Sequence, residues 1–145
     1  MATHFFNRKE EEIILKAIKE AEKNTSGEIQ VHVENRCKKE TMDRAAEVFA
    51  MLKMHKTKLR NGVLFYLAVE DKKFAILGDS AINAIVGTDF WVKIKNNMEH
   101  DFKDGNFAKG LSEGILEAGK QLEKHFPFNK GDVNELSDDI SFSNN

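Results

Sequence analysis

The chain has 145 residues, of which 41% are hydrophobic and 32% are charged. This composition fits one globular domain with one core and is too apolar for a fully disordered chain. The formal net charge of −2 and the four arginines provide no basic field, so we expect neither nucleic acid nor an anionic membrane as a partner. The single cysteine excludes an intramolecular disulfide.

The amino-terminal residues lack the apolar run of a signal peptide, and the longest apolar run, residues 63–69, is too short to cross a bilayer. We therefore expect a soluble protein with a cytoplasmic localisation. Residues 1–126 are expected to form the folded domain. The Asn-, Ser-, Asp- and Gly-rich residues 127–145 predict a flexible polar tail.

The first half of the chain alternates between helical and extended patterns. Asn7 and Glu10 predict a capping box at the start of a helix over residues 8–23. Residues 28–34 alternate between aliphatic and polar side chains, which predicts a strand with one buried face. This interpretation places His32 on the polar face of the strand, where it would titrate like a surface histidine.

The next elements define the sheet. Thr41 can cap a second helix, and the apolar run 63–69 is typical of a central strand covered on both faces. Residues 73–77 predict the returning strand of a hairpin. A strand, a helix and a second strand require a parallel pair with a right-handed crossover, and the hairpin adds an antiparallel strand.

Helical patterns fill the remainder. We predict a short helix over residues 81–86, capped by Ser80, and a longer helix beginning at Thr88. A last helix follows the break at residues 105–106 and extends to Phe126. The sequence therefore predicts an α/β fold with a small mixed sheet flanked by helices.

Oxygen-bearing side chains stand at the loop ends of this predicted fold. Hard cations such as calcium and magnesium bind to converging carboxylate and amide oxygens. Taken singly, each candidate has an ordinary structural role as a helix cap, a turn residue or a solvated carboxylate. The topology nevertheless brings Glu28, Asn61 and Asp79 to one edge of the sheet. The predicted ligands are Glu28, Asn61, Asp79, Asp89 and Asp104.

Two other functions compete with divalent-cation binding. A slow, metal-assisted phosphomonoesterase could use the same carboxylates to activate water, although the sequence offers no positioned nucleophile. An adaptor could bind an unidentified protein partner through the basic residues 55–60, although such a patch is more often solvated.

The order of several short motifs resembles the TPM domain family, and the resemblance covers about residues 8–126. The matching segments are residues 25–29, 61–64, 73–78, 88–89 and 102–107, followed by Gly110. The resemblance, to a stand-alone bacterial member, implies a Rossmann-like three-layer sandwich without a nucleotide-binding glycine loop. It also implies calcium binding at loops near one end of the sheet, and the weak acid phosphatase activity attached to some plant members.

Overall fold

The computed structural model describes residues 4–128 and 139–143. The described elements are α1 (Arg8–Glu22), β1 (Glu28–Glu34), α2 (Thr41–Met51), β2 (Gly62–Ala68), β3 (Lys73–Gly78), α3 (Ser80–Lys103), α4 (Phe107–His125) and β4 (Ser141–Ser143). A single 3₁₀ turn, Met54–Lys56, follows α2. None of the helices in these residues is both long and apolar enough to cross a membrane.

The four strands form one mixed sheet in the order β3-β2-β1-β4. β1 runs parallel to β2, with Glu28 opposite Gly62, and β3 pairs antiparallel to β2. The predicted parallel pair and hairpin are therefore confirmed. β4 was not predicted: it runs parallel to β1 and pairs Phe142 with Val33.

β4 lies inside the segment that the sequence analysis assigned to a flexible tail. Three residues from a polar stretch carry too weak a pattern to predict a strand. The remaining tail positions, residues 129–138 and 144–145, lie outside the described part of the chain.

Helices cover both faces of the sheet, which makes three layers. Alternate residues of β1, including Val31 and Val33, pack with α1, α3 and α4 on one face. On the other face, Leu64 and Tyr66 of β2 pack with Val48 and other residues of α2. The expectation that β1 has only one buried face is wrong, because all seven of its residues are buried.

Local sequence features account for the start of α1 and for a kink in α3. The capping box of α1 is confirmed: the Glu10 amide donates to Asn7 Oδ1 at 2.8 Å, and the Asn7 amide donates to Glu10 Oε1 at 3.0 Å. The two helices predicted after β3 are joined into α3 across Gly87. Gly87 has φ 73°, a left-handed conformation that an L side chain would strain.

Glycines let α4 pack closely between α1 and α3. A Cβ added at Gly119 would lie 2.6 Å from Cβ of Ala21 in α1, and one added at Gly114 would lie 2.8 Å from Sδ of Met98 in α3. Both distances are shorter than a van der Waals contact, so neither position accepts a side chain without movement. This packing fixes the position of the last turns of α3 against the sheet.

Candidate functional site

The amino-terminal ends of β1 and β2 meet the end of β3 at one edge of the sheet. Glu28 begins β1 opposite Gly62, Asn61 directly precedes β2, and the Asp79 amide donates to the Gly62 carbonyl at 2.9 Å. Glu28, Asn61 and Asp79 are 3%, 1% and 6% exposed. Since neighbouring strands lie about 5 Å apart, the backbones of Glu28 and Asp79 are separated by about 10 Å, with β2 between them. The predicted convergence of these three segments is thus found in the fold.

Asp79 forms a bidentate ion pair with Arg60. Arg60 Nε donates to Asp79 Oδ2 and Arg60 Nη2 donates to Oδ1, each at 2.8 Å. The hydrogen bonds to Asp79 raise the pKa of Arg60 above its usual value. Asp79 Oδ1 also accepts from the Ser80 amide at 2.7 Å, so Asp79, and not the predicted Ser80, caps α3.

Arg60 was not predicted as a member of this site. Its guanidinium neutralises the carboxylate, while its side chain remains 49% exposed. Beside it, Asn61 Nδ2 donates to Ser26 Oγ at 3.4 Å, which links the loop before β2 to the loop before β1. The Asp79 carboxylate is therefore held by Arg60, whose side chain is half exposed to solvent.

The other two predicted ligands, Asp89 and Asp104, lie far apart along α3. Asp89 is exposed on α3 shortly after the kink, and Asp104 is exposed at the C-cap of the same helix. Fifteen helical residues separate them by about 22 Å, so these two carboxylates do not share an ion with each other. Among residues 4–128 and 139–143, no three His, Cys, Asp or Glu side chains are grouped closely enough to hold a metal ion.

A second polar group, which the sequence analysis missed, is buried under α2 and is here called the Glu34 network. Arg44 of α2 donates to Glu34 from Nε at 2.9 Å and from Nη2 at 2.8 Å, and the Tyr66 hydroxyl donates to the same carboxylate. His32 Nε2 lies 3.2 Å from Glu34 Oε1, while His32 Nδ1 lies 2.9 Å from Ser141 Oγ of β4. The network connects β1, β2, β4 and α2.

His32 is therefore not the surface histidine that was predicted, since only 1% of it is exposed. The alternation in β1 was read correctly, but α2 covers its polar face. Burial lowers the pKa of His32 despite the neighbouring Glu34 carboxylate, so the ring is neutral at pH 7.

The Glu34 carboxylate is ionised at neutral pH. Burial by itself raises its pKa, but hydrogen bonds from Arg44 and Tyr66 outweigh that effect and lower the pKa to about 2. Burial and the same carboxylate raise the pKa of Tyr66, which stays protonated and donates to Glu34. Since the Glu34 side chain is 0% exposed, we assign the network a structural role.

A four-stranded mixed sheet with three helices on one face and one on the other defines a small three-layer α/β domain. The chain belongs to the TPM domain family, whose model matches residues 2–121. The resemblance inferred from the short motifs is thereby confirmed.

Solved structures share this fold. The NMR structure of BA42 protein from the psychrophilic bacterium Bizionia argentinensis is 51% identical, with a TM-score of 0.88 over 96% of each chain. An N-terminal domain from P. gingivalis is 18% identical, with a TM-score of 0.68 over 83% of this chain and 78% of that one. The N-terminal domain of cg2496 protein from Corynebacterium glutamicum is 12% identical, with a TM-score of 0.66 over 85% and 78%. No curated protein matched the sequence.

Proposed function

We propose that this TPM domain binds a divalent cation at the sheet edge formed by Glu28, Asn61 and Asp79. The observation that carries the proposal is the Asp79 carboxylate, which is 6% exposed and already held against the cationic side chain of Arg60. A nearly buried carboxylate requires a positive partner. A metal ion can take the place of the guanidinium because Arg60 is half exposed and free to turn into solvent.

Calcium suits this edge better than magnesium. The candidate ligands Glu28, Asn61 and Asp79 come from three separate segments. Calcium accepts six to eight oxygens in irregular geometry, whereas magnesium demands near-ideal octahedral geometry and gives up its water reluctantly. In the proposed bound state, Asp79 supplies the charged oxygens, Asn61 and Glu28 supply further ligands, and water completes the shell.

The test is a calcium and magnesium titration of the metal-free protein, followed by amide NMR and by thermal unfolding. Asp79→Asn is the informative variant, because Asn caps a helix as well as Asp while removing the charge. We expect wild-type protein to gain about 2.7 kcal/mol at a calcium concentration one hundred times the Kd, and Asp79→Asn to lose that gain. Unsaturable shifts, or equal stabilisation of both proteins, would contradict the proposal.

Two further variants sharpen the assignment. Arg60→Gln removes the competing guanidinium and should tighten calcium binding, which no simple loss of structure would do. Asp104→Asn changes another carboxylate, at the C-cap of α3, and should leave binding unchanged. If Asp104→Asn weakened binding as much as Asp79→Asn, the site would have to be sought elsewhere.

The same samples decide the catalytic alternative. Hydrolysis of a generic phosphomonoester is measured with and without calcium for wild-type protein and for Asp79→Asn. Turnover that requires calcium and is lost in the variant would make the cation a catalyst as well as a ligand. Turnover that is equal in both proteins would be assigned to a contaminant.

A further inference from the structure

A second concave site lies at the opposite end of the sheet, where β1 and β2 terminate. It is a cavity of about 710 Å³, within the range of small-molecule sites. In open α/β sheets, ligands bind outside the carboxyl ends of the strands, and this cavity occupies that position. We call it the Phe–Lys cavity. Its floor is formed by Leu67, Ala68 and Val69, and its sides include Phe5, Phe74, Phe102 and Phe107.

The four phenyl rings of the Phe–Lys cavity form a continuous row. The ring centres of Phe5 and Phe107 are 5.2 Å apart, those of Phe107 and Phe102 are 5.2 Å apart, and those of Phe102 and Phe74 are 4.9 Å apart. All four phenylalanines are partly buried and pack against the hydrophobic core. These four contacting rings present a connected apolar surface to a molecule that enters the cavity.

Cationic side chains surround this apolar surface. Lys72, Lys73, Lys95 and Lys103 line the cavity, and all four are exposed. The acidic residue among the described lining residues is Glu99, which lies 3.9 Å from Lys103. The rim is thus positive on a chain whose formal net charge is −2, so an anion is attracted to this part of the surface.

Two of the lysines are already held close to the cavity wall. Lys95 Nζ lies 5.7 Å from the centre of the Phe74 ring, within the range of a cation–π contact. Lys73 Nζ donates to the Cys37 carbonyl at 3.2 Å, which leaves two of its three protons for another acceptor. Lys72 projects from the turn between β2 and β3.

We propose that the Phe–Lys cavity binds a medium-chain fatty carboxylate. The acyl chain lies along the row of phenyl rings, and the carboxylate is held by Lys72 and Lys95. A connected apolar surface with a positive rim matches a molecule that has an apolar body and one negative end. The site is separate from the proposed cation site, so one proposal can fail while the other stands.

The first experiment follows amide NMR shifts of the full chain in calcium-free buffer with three probes. Decanoate should produce saturable shifts at residues lining the cavity. Acetate has the same charged group without the chain, and decyltrimethylammonium has the same chain with the opposite charge. At the concentrations at which decanoate saturates the amide shifts, neither of these two probes should do so. Equal saturation by decyltrimethylammonium would overturn the proposal, because the lysines would then contribute nothing.

Matched lysine variants supply the second test. Lys72→Gln and Lys95→Gln should each raise the Kd for decanoate about two- to fivefold, the usual effect of one exposed ion pair. Lys93→Gln changes an exposed lysine on the same helix that does not line the cavity, and it should leave the Kd unchanged. If all three variants weakened decanoate binding equally, or if none of them weakened it, the assignment of decanoate to the Phe–Lys cavity would be contradicted.

The same data would show whether a second copy of the chain occupies the cavity. If dilution of the ligand-free protein shifts the same cavity residues, a second copy of the chain occupies the groove and the proposal fails. Asp79→Asn should bind decanoate as wild-type protein does, even if it no longer binds calcium. Loss of decanoate binding in Asp79→Asn would mean that the cavity does not act as an independent site.

Discussion

Removing the negative charge of Glu34 tests whether the Glu34 network stabilises the fold. Glu34→Gln preserves the shape of the side chain and an oxygen that can accept from Tyr66. It leaves the Arg44 guanidinium without its main anionic partner, although Arg44 is 20% exposed and also lies 3.2 Å from Glu47. Breaking a buried ion pair in this way costs about 3–5 kcal/mol, and the partial exposure of Arg44 favours the lower figure.

The pH dependence of that cost follows from the pKa of Glu34. Its pKa is about 2 in the folded protein and 4.5 as an ordinary glutamate, so the unfolded chain binds the proton more tightly. The stabilisation is fully present above pH 4.5 and declines as pH falls toward 2. The difference in pKa corresponds to at most about 3 kcal/mol, of which about 2 kcal/mol is lost between pH 7 and pH 3.

The assay is urea unfolding at pH 7, 5 and 3, followed by far-UV circular dichroism and by the fluorescence of Trp91, the single tryptophan. We expect wild-type protein to be more stable than Glu34→Gln at pH 7, and the gap to narrow by about 2 kcal/mol at pH 3. Tyr66→Phe keeps the ion pair, loses one hydrogen bond worth about 1 kcal/mol, and should retain most of the pH dependence. A gap between wild-type protein and Glu34→Gln that is the same at pH 7 and pH 3 would refute the reasoning.

Three more substitutions test packing, backbone and strand pairing, each measured by urea unfolding. Gly114→Ala forces a methyl group against Met98 Sδ and should cost about 1–3 kcal/mol. Gly87→Ala meets open space but keeps φ 73°, so its cost of about 1–2 kcal/mol should come from backbone strain alone. Ser141→Ala removes the hydroxyl oxygen beside His32 Nδ1 and should lower the free energy of unfolding by about 1–3 kcal/mol. An unchanged free energy of unfolding would mean that the pairing of β4 does not depend on this hydrogen bond.

Features set by a few neighbouring residues were predictable from the sequence. The capping box at Asn7 requires only a polar residue and a glutamate three positions later, so the start of α1 follows from local chemistry. The apolar run of β2 is buried along its whole length, as its composition indicated. The hairpin follows from a short polar turn between two apolar segments.

Features that depend on distant partners were not predictable. Nothing within β1 shows that Arg44, ten residues after Glu34, and Tyr66, on the next strand, will satisfy its polar face. An alternating strand looks half exposed unless its partners are known. Ser141 and the rest of β4 are still more distant, since the pairing of Ser141 with His32 spans 109 positions.

The candidate cation site was predictable only in part. Strand direction alone brings Glu28, Asn61 and Asp79 to one edge, because parallel strands begin at the same end and a hairpin returns to it. Arg60 was missed because a charged residue beside a turn is more often solvated. Asp89 and Asp104 were both included from motif position, and motif order does not show that about 22 Å of helix separates them.

The same topology places the two proposed sites at opposite ends of the sheet. β1 and β2 are each seven residues long, so about 23 Å separates the start of the pair, with Asp79 beside it, from the end of the pair. At the first end, the Asp79 carboxylate is paired with the half-exposed cation Arg60. At the second end, lysines surround apolar rings. The two proposals therefore assign a cation to the first end and an anion to the second, and the buried strands β1 and β2 lie between the two ends.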